Sequence, residues 1–498
     1  MLWVTVALLL FIFQIFTILI GEFRKPSKAV AWLSILFIFP VIGFIMYYFL
    51  AKEYSQRKKV RRRGRRHVMD IRYAGLKHAA SDIEIEADRL DHWRHEPRLF
   101  ALLYNIPSSK ITRHNEVQVL TNAQAAYPSM LEAMERAKEH IHFEFYTVRN
   151  DAIGRQFKEV LVRKARAGVK VRCIFDGIGS YQLDNGYIQE LKQAGCEVYI
   201  FLPGLIAFFD KRINYRNHRK IIVVDGAVGF LGGLNVGDEY LGGNPKLGFW
   251  RDTHLKLEGD SVFSLQQTFI TDWFFVSGER LADSTLFPEH ECSARKPVQI
   301  ISSGPDAHWD AVLEMYFAAI TAAKKRIYIT TPYFIPDAGI TMGLKTAAVS
   351  GVDVRIIFPE KADSKLVNYA SLSFLEELMQ VGVRFYAYQK GFIHSKVLLI
   401  DDLLASVGTA NMDMRSFYSN FELNAVLFDR ETLHRIESDF VQDLKDSREV
   451  ELEVFDKRSR WQKGKEVVAR VAGAAPLKGD LPWGSGSAAV FFRADPLA

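Results

Sequence analysis

The chain has 498 residues, 49% of them hydrophobic, and a formal net charge of +6; it is too long for one ordinary core and long enough for two lobes plus an anchor. Its three cysteines, Cys173, Cys196 and Cys292, are an odd number without C-x-x-C spacing, which argues against a disulfide framework or thiolate metal site and for a reducing compartment. Residues 51–66 alone carry +8, so the rest of the chain sums to −2 and lacks the bulk positive charge usual in a nucleic-acid binder.

Residues 2–20 hold no charged side chain and as a helix would extend about 28 Å, close to the hydrocarbon thickness of a bilayer. No basic stretch precedes them and no small-x-small site follows, so a membrane helix is predicted rather than a cleaved signal peptide. A second uncharged run, residues 29–50, is interrupted by Pro40 and ends at Tyr47 and Tyr48, where an interfacial aromatic belt would sit. The basic cluster at 51–66 then places the following chain on the cytoplasmic side. Arg24, Lys25 and Lys28 in the intervening loop leave a re-entrant hairpin open as an alternative, and the cluster itself suits either a topology signal or the binding of anionic headgroups.

Beyond this anchor (1–50) and a basic, helical connector (51–110), two α/β lobes are predicted, 111–290 and 291–458, followed by a tail at 459–498. The tail is rich in Gly, Pro, Ser and Ala and is expected to be partly disordered. The lobes share markers in the same order. Val117-Gln118-Val119-Leu120 matches Val298-Gln299-Ile300-Ile301, and the strand at Ile141–Tyr146 matches that at Ile327–Thr330. Gly168-Val169-Lys170-Val171-Arg172 matches Gly351-Val352-Asp353-Val354-Arg355, a helix stop followed by a strand, and Gly195 and Gly382 repeat the device.

Each lobe then carries one copy of H-x-K-x-x-x-x-D-x-x-x-x-x-x-G-[GT]-x-N. The first runs from His218 and Lys220 through Asp225 to Gly232, Gly233 and Asn235; the second from His394 and Lys396 through Asp401 to Gly408, Thr409 and Asn411. One copy would be weak, but two at identical spacing are specific. The aliphatic run inside each predicts a buried strand, on which His and Lys two apart share a face and can meet one phosphate. The Asp, seven positions after the His, points away from it and is read as a strand-end or turn residue supporting the site, with Asp225-Gly226 as a turn. Asn235 and Asn411 offer amide donors to phosphate oxygens.

A phosphodiester is anionic and resists attack, so its cleavage calls for a cationic cradle and a nucleophile that is neutral near pH 7. Lysine and histidine meet those needs, and two histidines allow one to attack while the other exchanges a proton with the leaving and incoming alcohols. Each imidazole also needs a carboxylate to fix its other nitrogen. The candidates are Glu422, 28 residues beyond His394, and Asp252, 34 beyond His218. A lysine between the His and Asp of each motif disfavours a divalent cation there. His142 and His254 are read as hydrogen-bonded core residues.

These motifs resemble the duplicated HKD motifs of the phospholipase D superfamily, and the surrounding sequence resembles bacterial cardiolipin synthases over about residues 1–470. Family-like stretches include Asn217–Lys220, Gly232–Gly237, Trp250–His254, Thr331–Asp337, Gly408–Ser416 and Asn420-Phe421-Glu422. The resemblance implies two lobes with facing sheets, an active site at their pseudo-twofold interface and no metal or organic cofactor. It implies a reaction that joins two phosphatidylglycerols into cardiolipin and releases glycerol, with membrane and lipid as partners and no nucleic acid. It also makes His218 the nucleophile and His394 the acid and base. The chain has neither a G-x-x-x-x-G-K-[ST] phosphate loop nor a D-G-x-x-A-R signature, in keeping with an exchange of one phosphodiester for another. A phospholipase D hydrolase, a nuclease of the same superfamily and a non-catalytic membrane scaffold are the rival readings.

Overall fold

The computed structural model describes residues 2–21, 26–47, 96–107, 109–203, 215–307 and 309–474. The basic cluster at 51–66, most of the connector and the chain after 474 lie outside the described residues.

At the amino terminus, helices α1 (Leu2–Gly21), α2 (Pro26–Ile38) and α3 (Pro40–Met46) form a hairpin held by Ile18, Trp32, Leu36 and Tyr47. Pro40 ends the second hydrophobic run as one helix and starts the next, as its missing N–H requires. Among the described residues no helix is long and apolar enough to cross a membrane. Helices α2 and α3 have 13 and 7 residues.

The two lobes repeat one plan. After α4 (Pro97–Asn105) and β1 (Ile111–Thr112), the first lobe comprises β2 (Asn115–Thr121), α5 (Asn122–Glu135), β3 (His140–Phe145), α6 (Ala152–Arg166), β4 (Lys170–Asp176), α7 (Asn185–Gln193), β5 (Glu197–Phe201), β6 (Arg216–Asn217), β7 (Lys220–Val224), β8 (Val228–Gly232), β9 (Phe249–Arg251), β10 (Thr253–Gly259) and α8 (Asp260–Ser277). The second comprises β11 (Val298–Ser303), α9 (Ala311–Ala322), β12 (Arg326–Thr330), β13 (Phe334–Ile335), α10 (Ala338–Val349), β14 (Asp353–Pro359), α11 (Lys365–Met379), β15 (Arg384–Tyr388), β16 (Gly391–Ile393), β17 (Val397–Ile400), β18 (Leu404–Gly408), β19 (Met412–Asp413), α12 (Met414–Tyr418), β20 (Asn420–Leu427) and α13 (Arg430–Lys445). It ends with β21 (Ser447–Glu449), α14 (Leu452–Asp456) and α15 (Arg460–Ala474).

The first sheet has the order β2-β10-β8-β7-β3-β4-β5, and the second contains the equivalent order β11-β20-β18-β17-β12-β14-β15 with β1 and β21 added at its edges. Duplication is thus visible strand by strand. Local chemistry repeats too. Asp151, Asp184, Asp337 and Asp429 each accept a backbone N–H at a helix start, and Gly168, Gly195, Gly351 and Gly382 turn the chain into the next strand at φ 92, 97, 88 and 98°.

Every residue of β3, β7, β17 and β20 is buried, because both faces of each sheet are covered. One face packs on helices. The other meets the opposite sheet through a shared core that includes Ile221, Leu231, Leu255 and Leu257 from the first lobe and Val298, Leu399, Val407 and Leu423 from the second. Each such fully buried aliphatic side chain contributes about 1.5–3 kcal/mol, so the lobes behave as one body.

Two predicted boundaries shift. The end of the connector and the first residues assigned to the first lobe pack with the second: Leu99, Phe100 and Leu103 of α4 enter the second lobe's core, and Ile111 pairs with Gln299. The tail expected from 459 begins as helix α15, which packs against α11.

Candidate active site

The motif histidines stand just before β7 and β17, where the chain crosses from one lobe to the other. Strand β6, leading to His218, pairs with the start of β20 in the second lobe, and the His218 N–H donates to the Phe421 carbonyl at 3.0 Å. Strand β16, leading to His394, pairs with β9 in the first lobe, and the His394 N–H donates to the Arg251 carbonyl at 2.7 Å. Phe421 precedes Glu422, and Arg251 precedes Asp252, so each histidine is delivered to the carboxylate of the other lobe. A Cβ on Gly391 would lie 2.0 Å from the Phe249 carbonyl oxygen, so this crossing needs glycine.

The side chains complete the exchange. Nδ1 of His218 lies 3.1 and 2.9 Å from the two oxygens of Glu422, and Nδ1 of His394 lies 2.7 Å from Asp252 Oδ2. The linear spacings suggest partners within one lobe; the structure pairs them across lobes, because docking of the two sheets sets which carboxylate each ring meets. Burial pushes both carboxyls up, but the neighbouring imidazole and lysines outweigh it and hold Glu422 and Asp252 below their ordinary values. An ionised carboxylate only accepts, so Nδ1 of each ring carries the proton and Nε2 presents a lone pair. Glu422 is fixed in turn by the Thr409 hydroxyl at 2.5 Å and the Asn420 amide at 3.0 Å, and Asp252 by the Thr253 N–H at 2.8 Å.

Lys220 and Lys396 curl back beside their histidines, Lys220 Nζ donating to the His218 carbonyl at 2.7 Å and Lys396 Nζ to that of His394. Burial lowers their values, to about 7 for Lys220 and about 8 for Lys396. It also lowers His218, with Lys220 and Lys396 adding to the effect against Glu422. His394 falls to about 3 through burial and Lys396, Lys220 adding its share. Each ring therefore senses the ammonium of both lobes, which puts the two motifs in one electrostatic site. His218 and His394 retain 9 and 7% of their surface, a narrow approach for a headgroup.

The motif aspartates stand elsewhere. Asp225 and Asp401, at φ 52 and 48°, turn the chain after β7 and β17. Asp225 accepts from the N–H groups of Lys138, Glu139 and His140 at 2.8–2.9 Å, and Asp401 from those of Lys324, Lys325 and Arg326 at 2.7–2.9 Å. They bind the preceding helix-to-strand turn instead of touching a reacting group, as their odd spacing from histidine implies. Asn235 also differs from expectation: its amide donates to Tyr240 at 3.1 Å and its oxygen accepts from the Thr147 N–H at 3.1 Å, a bracing role for the loop. Asn411 keeps its side-chain oxygen buried and without a partner among the described residues; as an acceptor, this atom suits a ligand hydroxyl and not a phosphate oxygen.

Several neighbours have no role in the site assigned from the sequence. The Tyr146 ring meets His218 edge-on at 5.1 Å, and the Trp250 ring lies 5.2 Å from His394. Tyr146 closes a strand the repeat does identify, and Trp250 adjoins the Arg251-Asp252 pair. Arg219, between His218 and Lys220, crosses to the second lobe: it donates to the Glu422 carbonyl at 3.2 Å and the Ser303 carbonyl at 3.1 Å, and pairs with Asp272. His142 is hydrogen-bonded to Gln266 at 2.9 Å, as read. His254 is buried on β10 with neither ring nitrogen bonded among the described residues. Among the described residues no group of three or more His, Cys, Asp or Glu could hold a metal ion.

Residues 130–273 and 316–444 match the family described as "Cardiolipin synthase, PLD-like domain", and residues 5–52 match "Phospholipase D-nuclease N-terminal". The chain is 44% identical over 452 residues to a cardiolipin synthase of Geobacillus kaustophilus, covering 90% of this chain and 89% of that one. It is 37% identical over 476 residues to the major cardiolipin synthase of Bacillus subtilis, covering 93 and 98%. Among solved structures, phosphatidylserine synthase of Haemophilus influenzae superimposes with a TM-score of 0.57 at 14% identity, over 76% of this chain and 97% of that one, a likeness of fold.

Proposed function

The chain belongs to the cardiolipin synthase family of phospholipase D-like enzymes, and from that premise we propose how its residues move a phosphatidyl group from one phosphatidylglycerol to another. It is a phosphatidyltransferase. The observation that carries the mechanism is the reciprocal pairing of His218 with Glu422 and His394 with Asp252, which leaves two Nε2 atoms in one site.

Binding of the anionic headgroup draws a proton from solvent onto Nε2 of His394; Nε2 of His218 attacks the phosphorus of the first phosphatidylglycerol, the bond to the departing glycerol oxygen breaks, and His394 passes that Nε2 proton to the oxygen. Glu422, held on both oxygens, stabilises the cation that forms on the His218 ring. His394 then takes the proton from a headgroup hydroxyl of the second phosphatidylglycerol, whose oxygen displaces His218 and yields cardiolipin. Lys220 and Lys396 meet the non-bridging oxygens with their ammonium groups and Asn411 with its amide N–H, and the charge of those oxygens raises the basicity of both rings once substrate is bound. The reverse order of the histidines is favoured by one observation, the lowering of His394 to about 3 by burial and Lys396, which keeps that ring neutral; trapping the phosphatidyl-enzyme and mapping the modified histidine separates the two. Substrate lipids and the apolar runs at residues 2–20 and 29–50, free of charged side chains, support attachment to the cell membrane through this amino-terminal hairpin, with the lobes on the cytoplasmic side.

Incubation with labelled phosphatidylglycerol in mixed micelles tests the reading. Cardiolipin with glycerol is the expected pair of products; phosphatidic acid with glycerol would make the chain a hydrolase, and no turnover would favour the scaffold.

A further inference from the structure

Helix α15 packs on α11 with its polar side inward. Glu466 is 2% exposed and pairs with Arg458 at 3.1 Å, and Arg458 also reaches Glu376 of α11 at 3.1 Å. Arg470 donates to the Ser373 carbonyl at 3.1 Å and lies 3.9 Å from the Phe374 ring centre. The outer face carries exposed apolar side chains: Trp461, Val467 and Val468 are 82, 62 and 69% exposed. Trp461 and Val468 lie two turns apart on one side of the helix, with Gly464 and Lys465 between them. A water-facing helix has the opposite arrangement, and exposed apolar stripes of this kind mark interaction surfaces.

We propose that α15 lies on the surface of an anionic bilayer, its outer stripe in the headgroup region. The occupant follows from chemistry on this face. A tryptophan with lysine and arginine at its flanks, here Lys457, Arg460 and Lys465, is suited to the boundary of apolar chains and negative headgroups. The inference rests on the reading that the substrates are anionic lipids.

A fluorescent label on Gly464→Cys, where an added side chain meets open space, reports this contact in a Cys292→Ser background of the full chain; Cys173 and Cys196 are buried. In vesicles containing phosphatidylglycerol the label brightens, shifts to the blue and is quenched by lipids spin-labelled near the headgroup. Trp461→Asp with Val468→Asp removes these changes, and phosphatidylcholine vesicles or high salt weaken them. A label that stays in water while the chain is vesicle-bound overturns the proposal. So does protection that follows protein concentration in detergent, which would assign the face to a second copy. The readout needs no turnover, so it stands or falls apart from cardiolipin synthesis.

Discussion

The two lobes share a strand order and a motif, yet they differ where each touches the other. After the motif aspartate, the first lobe has Gly233 where the second has Thr409. A Cβ at 233 would lie 2.0 Å from Asp252 Oδ1, whereas the Thr409 hydroxyl donates to Glu422. The shorter carboxylate is seated against bare backbone and the longer one is tied by a hydroxyl. Between His and Lys the first lobe has Arg219, which reaches the backbone of the second, and the second has Ser395, bonded to Thr253 of the first at 2.8 Å. Symmetry is kept in what approaches the phosphate and relaxed in what supports it. This is the pattern of one site divided between two halves, not of two sites side by side.

That comparison can be broken most forcefully at the carboxylates. Asp252→Asn and Glu422→Gln should each lower kcat by about 10²–10⁴-fold, because the wrong tautomer is then favoured on the paired ring. A steady-state assay of cardiolipin formation checks this, and a variant of either residue with near-normal turnover would remove the pairing from the mechanism. Next in size is the contrast between Gly233 and Thr409. Gly233→Ala should displace Asp252 and cost about 10²-fold in kcat, while Thr409→Ala removes one hydrogen bond to an ionised group and should cost about 2 kcal/mol, read in thermal unfolding and turnover together. Equal effects would deny the asymmetry.

Binding of a phosphate-like oxyanion such as tungstate sharpens the shared charge of the site. Lys220 and Lys396 have values lowered to about 7 and about 8 in the unliganded protein, so an anion must draw protons onto them above those values. Affinity is fully present below about pH 7 and falls as pH rises through 7 to 8, with proton uptake visible by calorimetry in buffers of different ionisation heat. The smallest change in activity is expected at the motif aspartates. Asp225→Asn and Asp401→Asn weaken the hold on three backbone N–H groups and should lower stability by about 1–2 kcal/mol, while leaving kcat close to the parent value.

Much of this was legible in the sequence. The alternation of a strand placed His218 with Lys220 and turned Asp225 away, and repeated glycine stops revealed the duplication, because these are local rules. The partner of each histidine was not legible. Asp252 and Glu422 stand at similar distances beyond their own motifs, and only the docking of two sheets decides that each serves the opposite lobe. The same holds for α4 and β1, which precede the first lobe in sequence and complete the second. Asn235 could be placed near the site, but nothing in its spacing told that Tyr240 and Thr147 would occupy its amide. Helix α15 escaped because its apolar stripe faces outward, so its pattern says nothing of what lies beneath.

The crossing of the orienting carboxylates is most directly tested by nuclear magnetic resonance of the enzyme with selectively 15N-labelled histidine, observing the downfield Nδ1 protons of the two rings. Asp252→Asn should abolish the His394 signal and leave that of His218, and Glu422→Gln should do the reverse. Loss of the His218 signal in Asp252→Asn, or retention of both signals, would contradict a site shared between the lobes.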